Sequence, residues 1–260
     1  MRYENNHVRY QHYREGAGRA DILGAFGAGR GKEIHDPMTH PTLRRTPRGE
    51  SDRVLATQKA ILDTAERLFA EHGVYAVSNR QIGEAAGQGN TAVVGYHFGS
   101  KTDLIRALVR RFTLDVEQSR QQLLERIGDS TDLRDWVGCV VHPYTDHLAR
   151  YAPPTWFYRF AAQVMTDPAL RDIMVTEAVS SPSTHAARVG LNRCLSDLPP
   201  RVREQRGEIA SHAIVHACAE RERALAEGNP TPRRTEQWAT GLIDALVGLW
   251  SAPATGTRRW

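Results

Sequence analysis

Arg80, Asn90, Thr91 and Ala92 stand close together with Tyr96, His97 and Lys101 in the stretch SNRQIGEAAGQGNTAVVGYHFGSK, residues 78–101. Arg80 and Asn90 can donate hydrogen bonds to guanine or adenine edges, while Thr91 and Ala92 can meet a thymine methyl or a phosphate. Lys101 is one of only three lysines in the chain and falls at an expected helix start, where the backbone dipole also favours an anion. This is the chemistry of reading a polyanion rather than of breaking a bond. The chain contains no Gly-x-Ser-x-Gly elbow, phosphate loop, dinucleotide fingerprint or His-Glu-x-x-His zinc motif. Catalysis therefore has no support in the sequence, and no cofactor is expected.

The local elements that must hold these residues follow from caps and glycines. Ser78 with Gln81 three places on forms a capping box, which predicts a helix start there. Ile82, Ala85 and Ala86 supply a narrow apolar stripe, and Gly87 ends that helix in the position that favours a left-handed backbone. Gln88-Gly89 makes a turn, Asn90 or Thr91 caps a second helix, and Val94 and Phe98 share one face of it. Small residues, Thr91, Ala92 and Gly95, occupy much of the other face, so this helix can approach the floor of a major groove about 12 Å wide. Two helices this short bury no core alone. A scaffold helix from Val54, lined by Gln58, Ile61, Ala65, Leu68 and Phe69 and ended by Gly73, is expected to pack on them. Ser100 with Asp103 caps a further helix that runs to Ile127 and stops at Gly128, about 40 Å long at 1.5 Å per residue. It is long enough to leave the head and enter the rest of the molecule.

The blocks AILDTAERLFAEHG, GVYAVSNRQIGEAAG and KTDLIRALV, with Tyr96-His97-Phe98 and Gly99-Ser100-Lys101 between them, together resemble the DNA-binding domain of the TetR (tetracycline repressor) family of bacterial transcriptional regulators. The resemblance covers roughly residues 54–112. It departs from the commonest family pattern in two respects: the tyrosine is adjacent to His97, with Gly95 standing two places before it, and the stretch from Gly87 to His97 is one residue longer than usual. The resemblance implies that Ser78, Tyr96, His97 and Lys101 hold the phosphate backbone. It also implies a homodimer joined through two helices from each subunit, and release from an operator by a small-molecule effector. Independently, two-fold symmetry would double the few base contacts of one small head on a palindromic site.

The remaining composition is consistent with a DNA-binding head on a near-neutral body. The formal charge is +4, and between residues 41 and 111 Lys and Arg outnumber Asp and Glu by 11 to 7. With 40% hydrophobic residues the chain can bury a core, and it contains no run of apolar residues long enough to span a membrane. Three widely spaced cysteines, Cys139, Cys194 and Cys218, fit a reducing cytoplasm. The expected organisation is a disordered basic leader over 1–50, a helix-turn-helix domain over 51–112, an all-helical effector-binding and dimerisation domain over 113–252, and a tail over 253–260. The readings of the leader are a basic arm using Arg44, Arg45 and Arg48, a solvated tail, or residues upstream of a true start at Met38.

In the body, helices are expected over 132–150, interrupted at Pro143, and over 154–165, 168–180, 183–196, 200–227 and 234–250. The last two carry the repeating faces Ile209, Ala213, His216, Ala217 and Trp238, Leu242, Ala245, Leu246, Leu249, which suit either a dimer interface or the monomer's own core. Tyr144, Trp156, Phe157, Phe160, Met165 and Met174, with Tyr158, are candidates to line an effector cavity, and the same pattern suits plain core packing. Cys139 with His142, and His212 with His216, share helix faces but lack further ligands, so no metal is expected. The alternatives carried forward are a metal- or thiol-responsive regulator, an enzyme in the helical body, and a non-specific architectural DNA-binding protein.

Overall fold

The three helix stops expected at glycines fall where the backbone takes a positive φ: Gly73, Gly87 and Gly128 do so at 91°, 70° and 52°. In the computed structural model, which describes residues 48–90, 92–150, 155–228 and 235–254, ten helices form and no strand is present among the described residues. We number them α1 Arg48–His72, α2 Asn79–Ala85, α3 Val93–Phe98, α4 Lys101–Ile127 and α5 Leu133–Arg150. They continue as α6 Phe157–Thr166, α7 Arg171–Val179, α8 Pro182–Cys194, α9 Pro200–Ala226 and α10 Thr235–Ser251. The fold is all-α, as expected.

Helices α1, α2 and α3 form the head, and their core is Ile61, Ala65, Phe69, Ile82, Val94 and Phe98 closed by Leu104 and Leu108 of α4. The α1 helix begins at Arg48, inside the stretch read as an unstructured leader, so the expected boundary at residue 50 falls within it. The rest of that leader, with Arg44 and Arg45, lies outside the described residues. So does most of the expected tail. Helix α4 packs on α1 and α3 in the head and on α5, α7 and α8 in the body, and the buried core runs unbroken from one to the other.

Two expectations about proline are corrected. Pro143 neither divides nor ends α5, which runs through it from Leu133 to Arg150. Proline removes the N–H that would serve the carbonyl four residues back. Here the carbonyl of Cys139 instead accepts the Nε–H of Arg120 at 3.3 Å. Pro168 does not open a helix; Asp167 Oδ1 accepts the N–H groups of Ala169 and Leu170, and α7 starts only at Arg171.

Packing of α5 on α8 depends on a missing side chain. A Cβ at Gly190 would lie 2.1–2.4 Å from three atoms of the Trp136 ring, which is buried and anchored by its Nε1–H to Ser130 O at 2.8 Å. One or the other must shift. Gly190→Ala is therefore expected to destabilise the protein by about 1–3 kcal/mol through overpacking. A urea unfolding curve with unchanged slope and a lowered midpoint is the expected result.

Candidate nucleic-acid interface and effector cavity

The capping box at Ser78 forms as the sequence implies: Ser78 Oγ accepts the Gln81 N–H at 3.2 Å and Gln81 Oε1 accepts the Ser78 N–H at 2.8 Å. Ser100 and Asp103 make the same reciprocal pair at the start of α4. These two boxes fix the ends of α2 and α4, and the short α3 is slung between them. The start of α3 differs from expectation. Its N-cap is Ala92, without a side-chain bond, and Asn90 instead uses Oδ1 to accept the Ala92 N–H at 2.9 Å in the preceding turn. Thr91 lies outside the described residues.

Val94 and Phe98 turn inward, and Ala92, Gly95 and Tyr96 face solvent, Tyr96 with 83% of its surface exposed. Nothing lies within 4 Å of where a Cβ at Gly95 would sit. Arg80 is exposed on α2, with Nε held 2.8 Å from Glu84 Oε1. His97 is half-buried, and that burial lowers its pKa. Tyr96 and His97 meet edge to face at 5.0 Å. Arg80, Asn90, Ala92, Tyr96 and the Ser78 end of α2 thus lie on solvent-facing parts of the head.

Lys101 is placed differently from a simple phosphate ligand. Its Nζ donates to Val74 O at 3.0 Å and to Val77 O at 2.5 Å, stapling the turn before α2 to the first residue of α4. An ammonium has three hydrogens, so one remains for a phosphate. Lys101→Ala is expected to weaken binding to all duplexes alike and also to destabilise the head by about 1–3 kcal/mol. Thermal unfolding followed beside DNA titration separates the two effects.

Head and body meet at the start of α6. Arg111 of α4 reaches back to Asp63 at 2.6 Å and Glu66 at 2.5 Å on α1. Glu66 Oε1 accepts the Trp156 N–H at 3.3 Å, and burial raises the Glu66 pKa against the opposing pull of Arg111. From the other side, Glu222 of α9, fully buried, accepts the N–H groups of Tyr158 and Arg159 and the Thr155 hydroxyl. Carboxylates suit the positive end of a helix. Further along α6, Gln163 Nε2 donates to Phe69 O at 3.0 Å, and Phe160 stacks on Phe69 at 5.8 Å. Helix α6 is thereby tied to α1 and α9 together. None of these tertiary ties was visible as a sequence motif.

A cavity of about 150 Å³ lies between α4, α5, α6, α7, α8 and α9. Of the candidate lining residues, Tyr144, Phe157, Met165 and Met174 face it. Trp156 and Phe160 do not: Phe160 is buried against Phe69 and Phe157, and Trp156 lies under the Arg159 guanidinium at 4.1 Å. Tyr158 is also core, its hydroxyl donating to Tyr144 O at 2.8 Å. The cavity walls missed from sequence come largely from α4, including Phe112 and Arg120.

The thiols have little reactive character. Cys139 and Cys218 are buried, and burial pushes the Cys139 thiol up to about 11 and the Cys218 thiol higher still. The thiolate is the reactive form. Cys194 is shifted upward by burial too, and its Sγ lies 3.6 Å from Thr131 O. Among the described residues no group of three or more His, Cys, Asp or Glu side chains is arranged to hold a metal ion, and no helix is long and apolar enough to cross a membrane.

A capped helix-turn-helix head on an all-helical body with a partly open cavity is the arrangement of a DNA-binding transcriptional regulator. The sequence profile described as "Bacterial regulatory proteins, tetR family" matches residues 61–108, the head and the start of α4. It is 28% identical over 142 residues to the HTH-type transcriptional repressor AcnR of Corynebacterium glutamicum, covering 55% of this chain and 68% of that protein. To AcnR of Corynebacterium efficiens it is 39% identical over 59 residues, covering 23% of this chain and 31% of that protein. Among solved structures, one assigned to tetR family regulators from Shewanella sp. PV-4 superposes with a TM-score of 0.53 at 20% identity, covering 75% of this chain and 95% of the other. AmtR of Mycobacterium smegmatis superposes at 0.50 with 17% identity, covering 82% and 91%. At these identities the structural likeness speaks to the fold alone.

Proposed function

We propose that the protein is a homodimeric repressor acting in the bacterial cytoplasm, which covers a palindromic operator and leaves it when a small molecule occupies the cavity. The observation that carries the reading is the lightly clad α3, whose outward face presents Ala92, Gly95 and Tyr96 with nothing packed over them. In this reading α3 enters the major groove, Arg80, Asn90, Thr91 and Ala92 read base edges, and Ser78, Tyr96, His97 and Lys101 set position on the phosphates.

Dimerisation uses the outward faces of α9 and α10. Ile209 is 48% exposed, and His216 and Ala245 are exposed beside half-buried Ala213, Leu242 and Leu249. Leu246, expected on that face, is buried in the monomer's own core. An isologous contact of this kind sets two heads one DNA turn apart. The cavity supports control of that spacing because two of its walls, α4 and α6, both reach the head. An effector that fits only one of two head spacings shifts the population toward it. In vitro transcription from the promoter flanking the gene tests the reading. Protein-dependent loss of transcript, with a footprint on two half-sites, is expected; an undiminished transcript at saturating protein contradicts it.

A further inference from the structure

Arg120 lies on α4 with only 2% of its surface exposed and forms part of the cavity wall. Its Nε donates to Cys139 O at 3.3 Å, and its Nη1 donates to Thr184 Oγ1 at 2.7 Å and to Ser183 Oγ at 3.5 Å. Its guanidinium carbon sits 5.5 Å from the centre of the Tyr144 ring. Every hydrogen-bond partner is neutral. Two other arginines in the interior are paired directly with carboxylates, Arg111 with Asp63 and Glu66, and Arg159 with Glu222, while buried Arg206 is held by carbonyls at the end of α10. The carboxylate nearest along the helix, Glu117, commits its oxygens to the Ser183 N–H and the Ser181 and Ser183 hydroxyls at the start of α8. Its charge thus answers the positive end of α8 and reaches Arg120 only across a hydroxyl. A buried guanidinium without a direct counter-ion is unfavourable, and here it borders an open space rather than packed side chains.

The shape of that space narrows what can supply the missing charge. Apart from Arg120 and Thr184, the cavity is bordered mainly by apolar groups such as Phe112, Phe157, Met174 and Ile214. At about 150 Å³ it matches a cavity that admits one benzene ring. A bare inorganic anion would leave those walls unfilled. Thr184 Oγ1 accepts from Arg120, so its own hydrogen is free to be donated to a second acceptor.

We propose that the cavity binds a small monocarboxylic acid with an apolar body of about one ring, its carboxylate held by Arg120 and Thr184. The inference rests on the regulator reading only in treating this acid as the effector. Calorimetric titration of the full-length protein tests it, with benzoate and 3-methylbutanoate compared against benzamide and 3-methylbutanamide. Each acid is expected to bind at least about tenfold more tightly than its amide, since charge-assisted hydrogen bonds are the stronger kind. Arg120→Gln is expected to remove that preference, and Arg120→Lys, which keeps the charge, to retain part of it. Because Arg120 also serves the Cys139 carbonyl, a second variant that leaves it in place is needed. Met174→Trp, which fills the cavity, is expected to remove binding of both acids. Equal binding of acid and amide, acid binding that survives Met174→Trp, or no acid binding up to about 10 mM overturns the proposal. Arg120-dependent binding that leaves DNA affinity unchanged upholds the site and instead contradicts release by the effector.

Discussion

Gly95→Glu is expected to lower affinity for operator DNA by at least about 100-fold while leaving the unfolding midpoint unchanged or raised. Gly95 lies inside α3, and a Cβ there would have nothing from neighbouring elements within 4 Å. Replacing a helical glycine removes a backbone penalty of about 0.5–1 kcal/mol, so the folded protein gains slightly. In the groove the outcome reverses. A carboxylate would face acceptor-rich base edges and phosphates at the point of closest approach. A loss of about 3 kcal/mol, the upper end of a single mismatched contact, already gives that factor, and a dimer suffers it twice. Gly95→Ala, adding bulk alone, is expected to fall between. Anisotropy titrations beside thermal melts check both variants, and wild-type affinity in Gly95→Glu would mean that α3 does not enter the groove.

Glu222→Ala is expected to destabilise the protein by about 3–5 kcal/mol, the range for breaking a buried charge pair by removing one partner. It would leave the Tyr158 and Arg159 N–H groups and the Arg159 guanidinium facing an apolar void. Glu222→Gln keeps an acceptor for the helix end and should lose far less. The pH dependence has a definite sign. Burial, outweighing the Thr155, Arg159 and Tyr158 hydrogen bonds, pushes the Glu222 carboxyl up to about 7 from 4.5. The folded state therefore holds a proton that the unfolded state gives up between those values. The resulting stabilisation is complete below about pH 4.5 and is lost as the pH rises through about 7. Glu66 is shifted in the same direction, so Glu222→Gln should reduce this slope without abolishing it. Urea midpoints measured across the window decide the matter; a Glu222→Ala variant within about 1 kcal/mol of wild type, an ordinary point-mutation effect, would show that α6 does not depend on this cap.

Short-range chemistry made the head legible. Ser78 with Gln81, Ser100 with Asp103, and the stops at Gly73, Gly87 and Gly128 act within four residues of themselves, and each forms as the spacing implies. Long-range partners were not legible. Glu222 caps a helix start more than 60 residues away, and Arg120 supplies the donor that Pro143 withholds from Cys139. Periodicity also could not sort the α6 aromatics: Phe157 faces the cavity, while Phe160, three residues on, faces α1. Only the positions of α1 and α4 decide which side is which. Lys101 carried a signal for its position at a helix start but none for the two carbonyls it holds.

A repressor of this kind requires a head that recognises a particular DNA sequence. Fluorescence anisotropy with duplex from the region flanking the gene, against a scrambled duplex of the same composition, tests it most directly at roughly 0.15 M salt, where non-specific phosphate contacts are partly screened. Clear preference for the native duplex, lost in Gly95→Glu, is the expected result. Equal, weak and steeply salt-dependent binding to both duplexes, unchanged by Gly95→Glu, would contradict it and favour an architectural DNA-binding protein instead.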